Sequence, residues 1–471
     1  MIEKWDEKTD VLIIGSGFAG LAAAIEAVNA GSSVVVLEKM KAAGGNSIIS
    51  DGGIAAAGTV MQRKRGISDT PGLMYDDMLK AGLGINYPDL VRQVTERSNE
   101  VLQWTIDYLG VEYMDRLDIF GGHSVPRCLT PVGVSGKTII RQQLNKLKEL
   151  GVTVRTGVFF KAFIKDVQGE ITGVLVEDGY KYNQHGSGTE KRIGIKRGIV
   201  LATGGFGSDV KFRVTQDPRL TRDIDTTNKP FATAEALKEA LKIRAMPVQL
   251  SHIQLGPWGT PDEKGYGIGA RFSDYIVFPY GLVIDPDSGK RVVNELADRK
   301  TVSDAILAAG RPCIGITDMK AVATTGWDIT SCLEKGIVRS FTGLGELAVH
   351  YGIPPDELVI TIERYNRFVK DKVDTEFGKQ IVPDASPIST PPFLAIRNWP
   401  KVHHTMGGVQ IDENARVIDI NQKPIPRLYA AGEVTGGIHG ACRLGSCAVT
   451  ECLVFGRIAG KNAAAEVIFD S

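Results

Sequence analysis

A glycine run near the start of the chain constrains its fold more than any other feature. Gly15-Ser16-Gly17-Phe18-Ala19-Gly20 spells G-x-G-x-x-G between an apolar run over 10–14 and a helix expected over 18–30. A second apolar run follows over 33–37, and Glu38 closes it. Strand, tight turn, helix and strand make a βαβ unit, which is the context this motif requires. Gly15 permits the turn, Gly17 lets a pyrophosphate approach the backbone, and Gly20 packs helix against strand. The positive end of the helix attracts the phosphates, and Glu38 is placed to accept hydrogen bonds from ribose hydroxyls. Such an opening predicts an α/β fold built on a Rossmann-type parallel sheet.

Further strands are expected at 153–155, 171–177 and 197–202, and helices at 87–108 and 136–150. Aromatic residues and prolines rise between about 246 and 402, where helices are expected near 302–309 and 355–372. Strands and glycine loops return at 406–432, and a helix over 446–467 ends the chain. The simplest reading is a nucleotide-binding domain over 1–245 and 403–471, interrupted by an α+β capping domain over 246–402. A chain of 471 residues has room for both.

Lys+Arg and Asp+Glu both number 55, which argues against nucleic acid or an anionic membrane surface as the main partner. No apolar run reaches the roughly 18 residues of a membrane helix, so no membrane insertion is expected. The polar start, Met1 to Asp6, leads almost at once into a strand and leaves no room for a signal peptide; a cytoplasmic location is expected. None of the six cysteines forms a C-x-x-C pair, so they read as small buried residues in a reducing compartment, with no metal site.

The 54 glycines cluster at 15–20, 44–58, 204–207 and 432–445, where backbone would approach a ligand. Three segments favour FAD over NAD. Lys39 and Met40 lead into Gly44-Gly45-Asn46-Ser47, with Gly52 and Gly53 just beyond. Ala202-Thr203-Gly204-Gly205 closes a later strand, and Ala431-Gly432-Glu433 precedes the terminal helix. In this flavoprotein pattern Glu433 would hold the ribityl chain. The helix starting near Ser446, with Ala448 and Val449 in its first turn, would aim its positive end at the flavin pyrimidine ring.

The segments Val402-His403-His404-Thr405-Met406-Gly407-Gly408, Glu433 to Gly445 and Gly289 to Glu295 resemble the fumarate reductase/succinate dehydrogenase flavoprotein family. The nearest branch is the soluble, flavocytochrome c type of fumarate reductase, with its relatives acting on other enoates. The resemblance implies reduction of an α,β-unsaturated carboxylate, by hydride from flavin N5 to the β-carbon and a proton to the α-carbon. It assigns the substrate carboxylate to Arg443 and His403, the proton to Arg291, and a place near the flavin to His404. A guanidinium grips a carboxylate bidentately and so fixes its orientation.

The chain departs from the family's dicarboxylate site. Gly256 stands where a histidine is expected, Ser273 and Asp274 replace a threonine and a glutamate, and Val277 replaces a relay arginine. His252 lies nearby but out of register. Losing the histidine is expected to open space beside Trp258, Tyr266, Phe272, Tyr275, Phe278 and Tyr280. A non-fumarate monocarboxylate with a planar or bulky β-substituent, of the urocanate or cinnamate kind, would suit such a wall. No histidine lies near Asn46, so FAD is expected to be non-covalent. With no haem or iron–sulfur motif, electrons would come from a redox protein or reduced flavin. The alternatives are fumarate reductase proper, a ketosteroid-dehydrogenase-like desaturase, and a flavoprotein sensor without turnover. Arg443 with His403 counts against the desaturase.

Overall fold

The computed structural model describes residues 4–469. Met1 to Glu3, part of the polar start discussed above, lie outside the described residues.

The main sheet runs Arg416–Ile418, Pro424–Ala430, Thr189–Leu201, Glu7–Ile14, Val34–Glu38, Val154–Thr156. The last five strands are parallel to one another. Val11, Leu12, Ile13, Val36, Ile199 and Val200 are completely buried, as strands covered on both faces must be. The 13-residue strand Thr189–Leu201 has three partners: its second half lies between Glu7–Ile14 and Pro424–Ala430, and its first half pairs with Ile171–Asp178, one arm of an antiparallel hairpin with Val158–Lys165.

Register decides where a ligand binds. Ile14, Leu201 and Ala430 stand side by side at one edge of the sheet. Each is the last residue before a glycine loop, so three loops converge outside the carboxyl ends of the strands, the usual ligand crevice of an open α/β sheet. The Phe18–Asn29 helix lies against the terminal helix, Cys447–Ala465. Gly456 and Gly460 permit this contact: a Cβ on them would lie 2.5 Å from the Ala19 carbonyl oxygen and 2.1 Å from that of Ala23.

Residues 282–398 build an antiparallel sheet, ordered Leu282–Ile284, Cys313–Asp318, Phe393–Asn398, Arg339–Phe341. A core of its own, with Ile284, Ile316, Leu358 and Tyr365, packs this sheet against the Pro355–Asp371 helix. A two-stranded ladder of Ile253–Gly256 with Lys401–Thr405 connects it to the rest. Residues 269–280 form a continuous helical rod: a wider π turn, Ser273–Val277, interrupts α-helix between Gly269–Phe272 and Phe278–Tyr280. Single π turns inside helices are frequent at functional sites. No helix of the described residues is long and apolar enough to cross a membrane.

Candidate active site

Two adjoining cavities follow the convergence of loops. The first is lined by Gly15, Gly17, Ala19, Glu38, Lys39, Gly45, Thr203, Gly204 and Glu433. The second is lined by Gly52, Gly53, Trp258, Asp274, Arg299, His403, His404, Arg443, Ser446, Ala448 and Val449. Phe18, Asn46, Ser47, Glu433 and Cys452 line both, so they form one elongated channel.

The first cavity fits a dinucleotide. Gly15 has φ +106°, and a Cβ there would lie 2.2 Å from the Ala202 carbonyl oxygen; at Gly20 it would lie 2.0 Å from that of Gly15. A side chain at either position would push the turn out of the crevice. Both Glu38 oxygens are engaged, one accepting from Ser16 Oγ (2.6 Å) and the other from the Met40 N–H (2.9 Å). Lys39 is held by Glu235 (2.6 Å) and Thr233 (2.9 Å) at the rim. Glu433 accepts from the Thr405 N–H at 2.9 Å where the two cavities meet, and burial raises its pKa. A Cβ on Gly53 would lie 2.6 Å from the Oγ of Ser446, the residue before the terminal helix, and Ser446, Ala448 and Val449 bring the start of that helix to the second cavity.

The second cavity gathers cationic and N–H-donating side chains. Arg443 is 6% exposed. Its Nη1 donates to the Leu444 carbonyl (3.2 Å), its Nη2 to His403 Nε2 (2.8 Å), and its Nε has no partner. It makes no ion pair among the described residues, and burial together with Arg299 pulls its pKa down to about 9. Because a guanidinium can only donate, His403 Nε2 must accept; the ring proton therefore sits on Nδ1, which donates to Thr227 Oγ1 at 2.8 Å. Burial, then Arg443, holds the His403 pKa far below the imidazole range, so the ring is neutral. The Trp258 indole packs edge-on to His403, with centroids 4.7 Å apart, and its N–H has no partner. The Arg299 guanidinium lies 5.7 Å from the Trp258 ring; its Nη2 is 3.6 Å from Asp274 Oδ2, and its Nη1 is unpartnered. Three buried N–H donors on Arg443, Arg299 and Trp258 thus lack acceptors, and buried donors seldom stay unpaired unless a ligand completes them.

Four sequence expectations need correction. Arg291 is not in the channel. Its Nε and Nη2 donate to the two oxygens of Glu295 (3.1 and 2.8 Å) and its Nη1 to Asp374 (3.0 Å), in a cluster with Lys379 whose side chains are fully buried. Burial opposes its charge, but those carboxylates together prevail and raise its pKa, so it holds its proton more tightly still. Gly256 opens no space: a Cβ there would lie 2.8 Å from the Trp258 ring, which already fills the volume. Ser273 faces away, its Oγ accepting from Asn398 Nδ2 at 2.8 Å. Of the expected aromatic wall, Trp258, Tyr266 and Tyr275 line the cavity. Phe272 and Phe278 are core residues, and Tyr280 bonds Asp384. His252 does not line the channel.

Arg299 and Asp51 are cavity residues that the sequence reading missed. A signal for Arg299 existed. Asp298 caps the Arg299–Ala308 helix by accepting from the N–H groups of Lys300 and Thr301. The expected start at 302 left Arg299 in a loop. Asp274 was expected, and the π turn presents it; burial raises its pKa to about 7, with Arg299 pulling the other way and Asp51 adding to the rise.

Residues 10–449 match the model of the FAD binding domain family. The chain belongs to this FAD-binding family. The flavoprotein is 44% identical to the acrylate reductase flavoprotein subunit of Shewanella woodyi, over 97% of its own length and 92% of the relative's. It is 33% identical to the urocanate reductase of Eggerthella lenta, over 97% and 74% of the two chains. Among solved structures, the open conformation of a flavocytochrome c3 fumarate reductase superposes with a TM-score of 0.75 at 32% identity, covering 98% of this chain and 79% of that one. Within its family the chain falls in the fumarate-reductase-like branch of C=C reductases.

Proposed function

We propose that this flavoprotein reduces the carbon–carbon double bond of a short α,β-unsaturated monocarboxylate, with acrylate as the type substrate. One observation carries this reading: Arg443 is a buried cation without a counter-ion, flanked by two more unpaired N–H donors. An unpaired buried charge is costly, and a substrate carboxylate would supply its partner. A neutral steroid would leave Arg443 unpaired.

Non-covalent FAD, held by the glycine loops, Glu38 and Glu433, would supply the hydride. Arg443 Nε and the Trp258 N–H bind the carboxylate, while neutral His403, itself fixed by Thr227, keeps the guanidinium in plane. Arg299 Nη1 gives the proton to the α-carbon, and Asp274, on the other side of the guanidinium, replaces it. Trp258 fills the volume beside Gly256, so a small β-substituent suits the cavity better than an aromatic one. Electrons come from a separate redox protein or reduced flavin. The six cysteines, all unpaired, suit the reducing cytoplasm.

The test is anaerobic reoxidation of the reduced holoenzyme by acrylate, cinnamate, urocanate and fumarate. A second carboxylate with no cationic partner loses several kcal/mol, and each ~1.4 kcal/mol is about tenfold. Acrylate is expected to exceed fumarate by about 100-fold or more in kcat/KM and to exceed both aryl substrates. Equal rates with fumarate would refute the proposal.

A further inference from the structure

We infer that Asp51 is the charge filter of the cleft, a like-charge barrier that turns away substrates carrying a second carboxylate. The inference rests on the monocarboxylate reading above and deepens it. Asp51 lines the substrate cavity from the loop between two cofactor glycine segments. Its Oδ2 accepts from the hydroxyls of Tyr266 (2.7 Å) and Tyr275 (3.3 Å), and its Oδ1 from Arg271 Nε (3.0 Å). The adjacent turn is rigid: Gly52 has φ +72°, and a Cβ there would lie 2.8 Å from the Gly136 backbone.

A chain of contacts links this carboxylate to the clamp. Tyr266 packs edge-on to Trp258 at 5.3 Å, Trp258 to His403 at 4.7 Å, and His403 accepts from Arg443. Asp51 and Arg443 thus line the same cavity, joined along its wall by the rings of Tyr266, Trp258 and His403. Arg271 screens it incompletely. That side chain does not line the cavity, is 37% exposed, and also donates to the Val134 carbonyl. Burial raises the pKa of Asp274, Tyr266 and Tyr275, and the Asp51 carboxylate adds to each rise. Like-charge juxtaposition in a partly desolvated site is an effective means of rejection. The far end of a substrate held by Arg443 lies in a cavity that Asp51 lines together with Tyr266 and Tyr275, which an uncharged end tolerates and a second carboxylate does not.

The test compares wild type, Asp51→Asn and Asp51→Glu as FAD-loaded enzymes, with acrylate and fumarate as paired substrates. Asp51→Asn keeps an acceptor for both tyrosines but removes the charge. It should raise the fumarate-to-acrylate ratio of kcat/KM by about 10-fold or more, mostly through KM, whereas Asp51→Glu should keep the ratio low. If Asp51→Asn turns over poorly, succinate and propanoate binding to the oxidised holoenzyme, followed by the flavin absorbance change, replaces turnover. Succinate should then gain on propanoate by a similar factor. An unchanged ratio in both assays overturns the filter and leaves the monocarboxylate proposal standing. A wild-type enzyme that prefers fumarate overturns both.

Discussion

Arg291 and Arg299 are both buried arginines of one short segment, yet their surroundings give them opposite chemistry. Arg291 is saturated by Glu295 and Asp374, whereas Arg299 keeps one N–H free and faces Asp274 across 3.6 Å. Arg299→Ala should therefore lower kcat by about 10²–10⁴-fold, the usual worth of a general acid, and leave the melting temperature near that of wild type. Arg291→Ala should do the reverse. It leaves two buried carboxylates short of a cation, a loss of about 3–5 kcal/mol that a thermal melt would show. A specific kcat defect in a normally stable Arg291→Ala protein would restore Arg291 as the proton donor. Asp274 adds a pH signature. Its pKa is raised to about 7, so the carboxyl is protonated below that pH and ionised above it. A relay that must hand on a proton needs the protonated form, and kcat should fall as pH rises through about 7. Asp274→Asn should be slow and lack this limb. A wild-type profile flat from pH 6 to 8.5 would remove Asp274 from the relay.

At the scale of elements, two contacts place the chemistry. The Phe18–Asn29 and Cys447–Ala465 helices approach through Gly456 and Gly460, and this contact fixes where the first turn of the terminal helix meets the cleft. Gly460→Val should force the helices apart at a loss of about 1–3 kcal/mol. It should also weaken FAD retention on dilution, because Ser446, Ala448 and Val449 shift with the helix. Unchanged stability and flavin content would show that the contact is dispensable. The second contact is the π turn at Ser273–Val277, which presents Asp274 to the cleft while Ser273 bonds Asn398 behind it. Composition foretold neither the turn nor the opposed directions of these neighbours, because a π turn adds one residue to a helical repeat without a residue-type signature of its own.

At the scale of the whole molecule, what the sequence by itself determined is local and periodic. Apolar runs at 10–14 and 33–37, the glycines at 15, 17 and 20, and Glu38 specify strand, turn, helix and strand, because each acts on its immediate neighbours in the chain. That was enough to make FAD and a parallel sheet legible, and the motifs around His403 and Arg443 made legible two residues of the proposed carboxylate clamp. Tertiary structure decided which charges are paired and which volumes are filled. Arg291 is silenced by Asp374, and Gly256 is filled by Trp258. Asp51 is held at the cavity by Tyr266 and by Arg271 and Tyr275 of the helical rod, residues more than 200 positions away in the chain. The physical reason is range: backbone propensity is set within a few residues, whereas a buried group's proton affinity and free space depend on atoms that only the folded chain brings within a few ångströms.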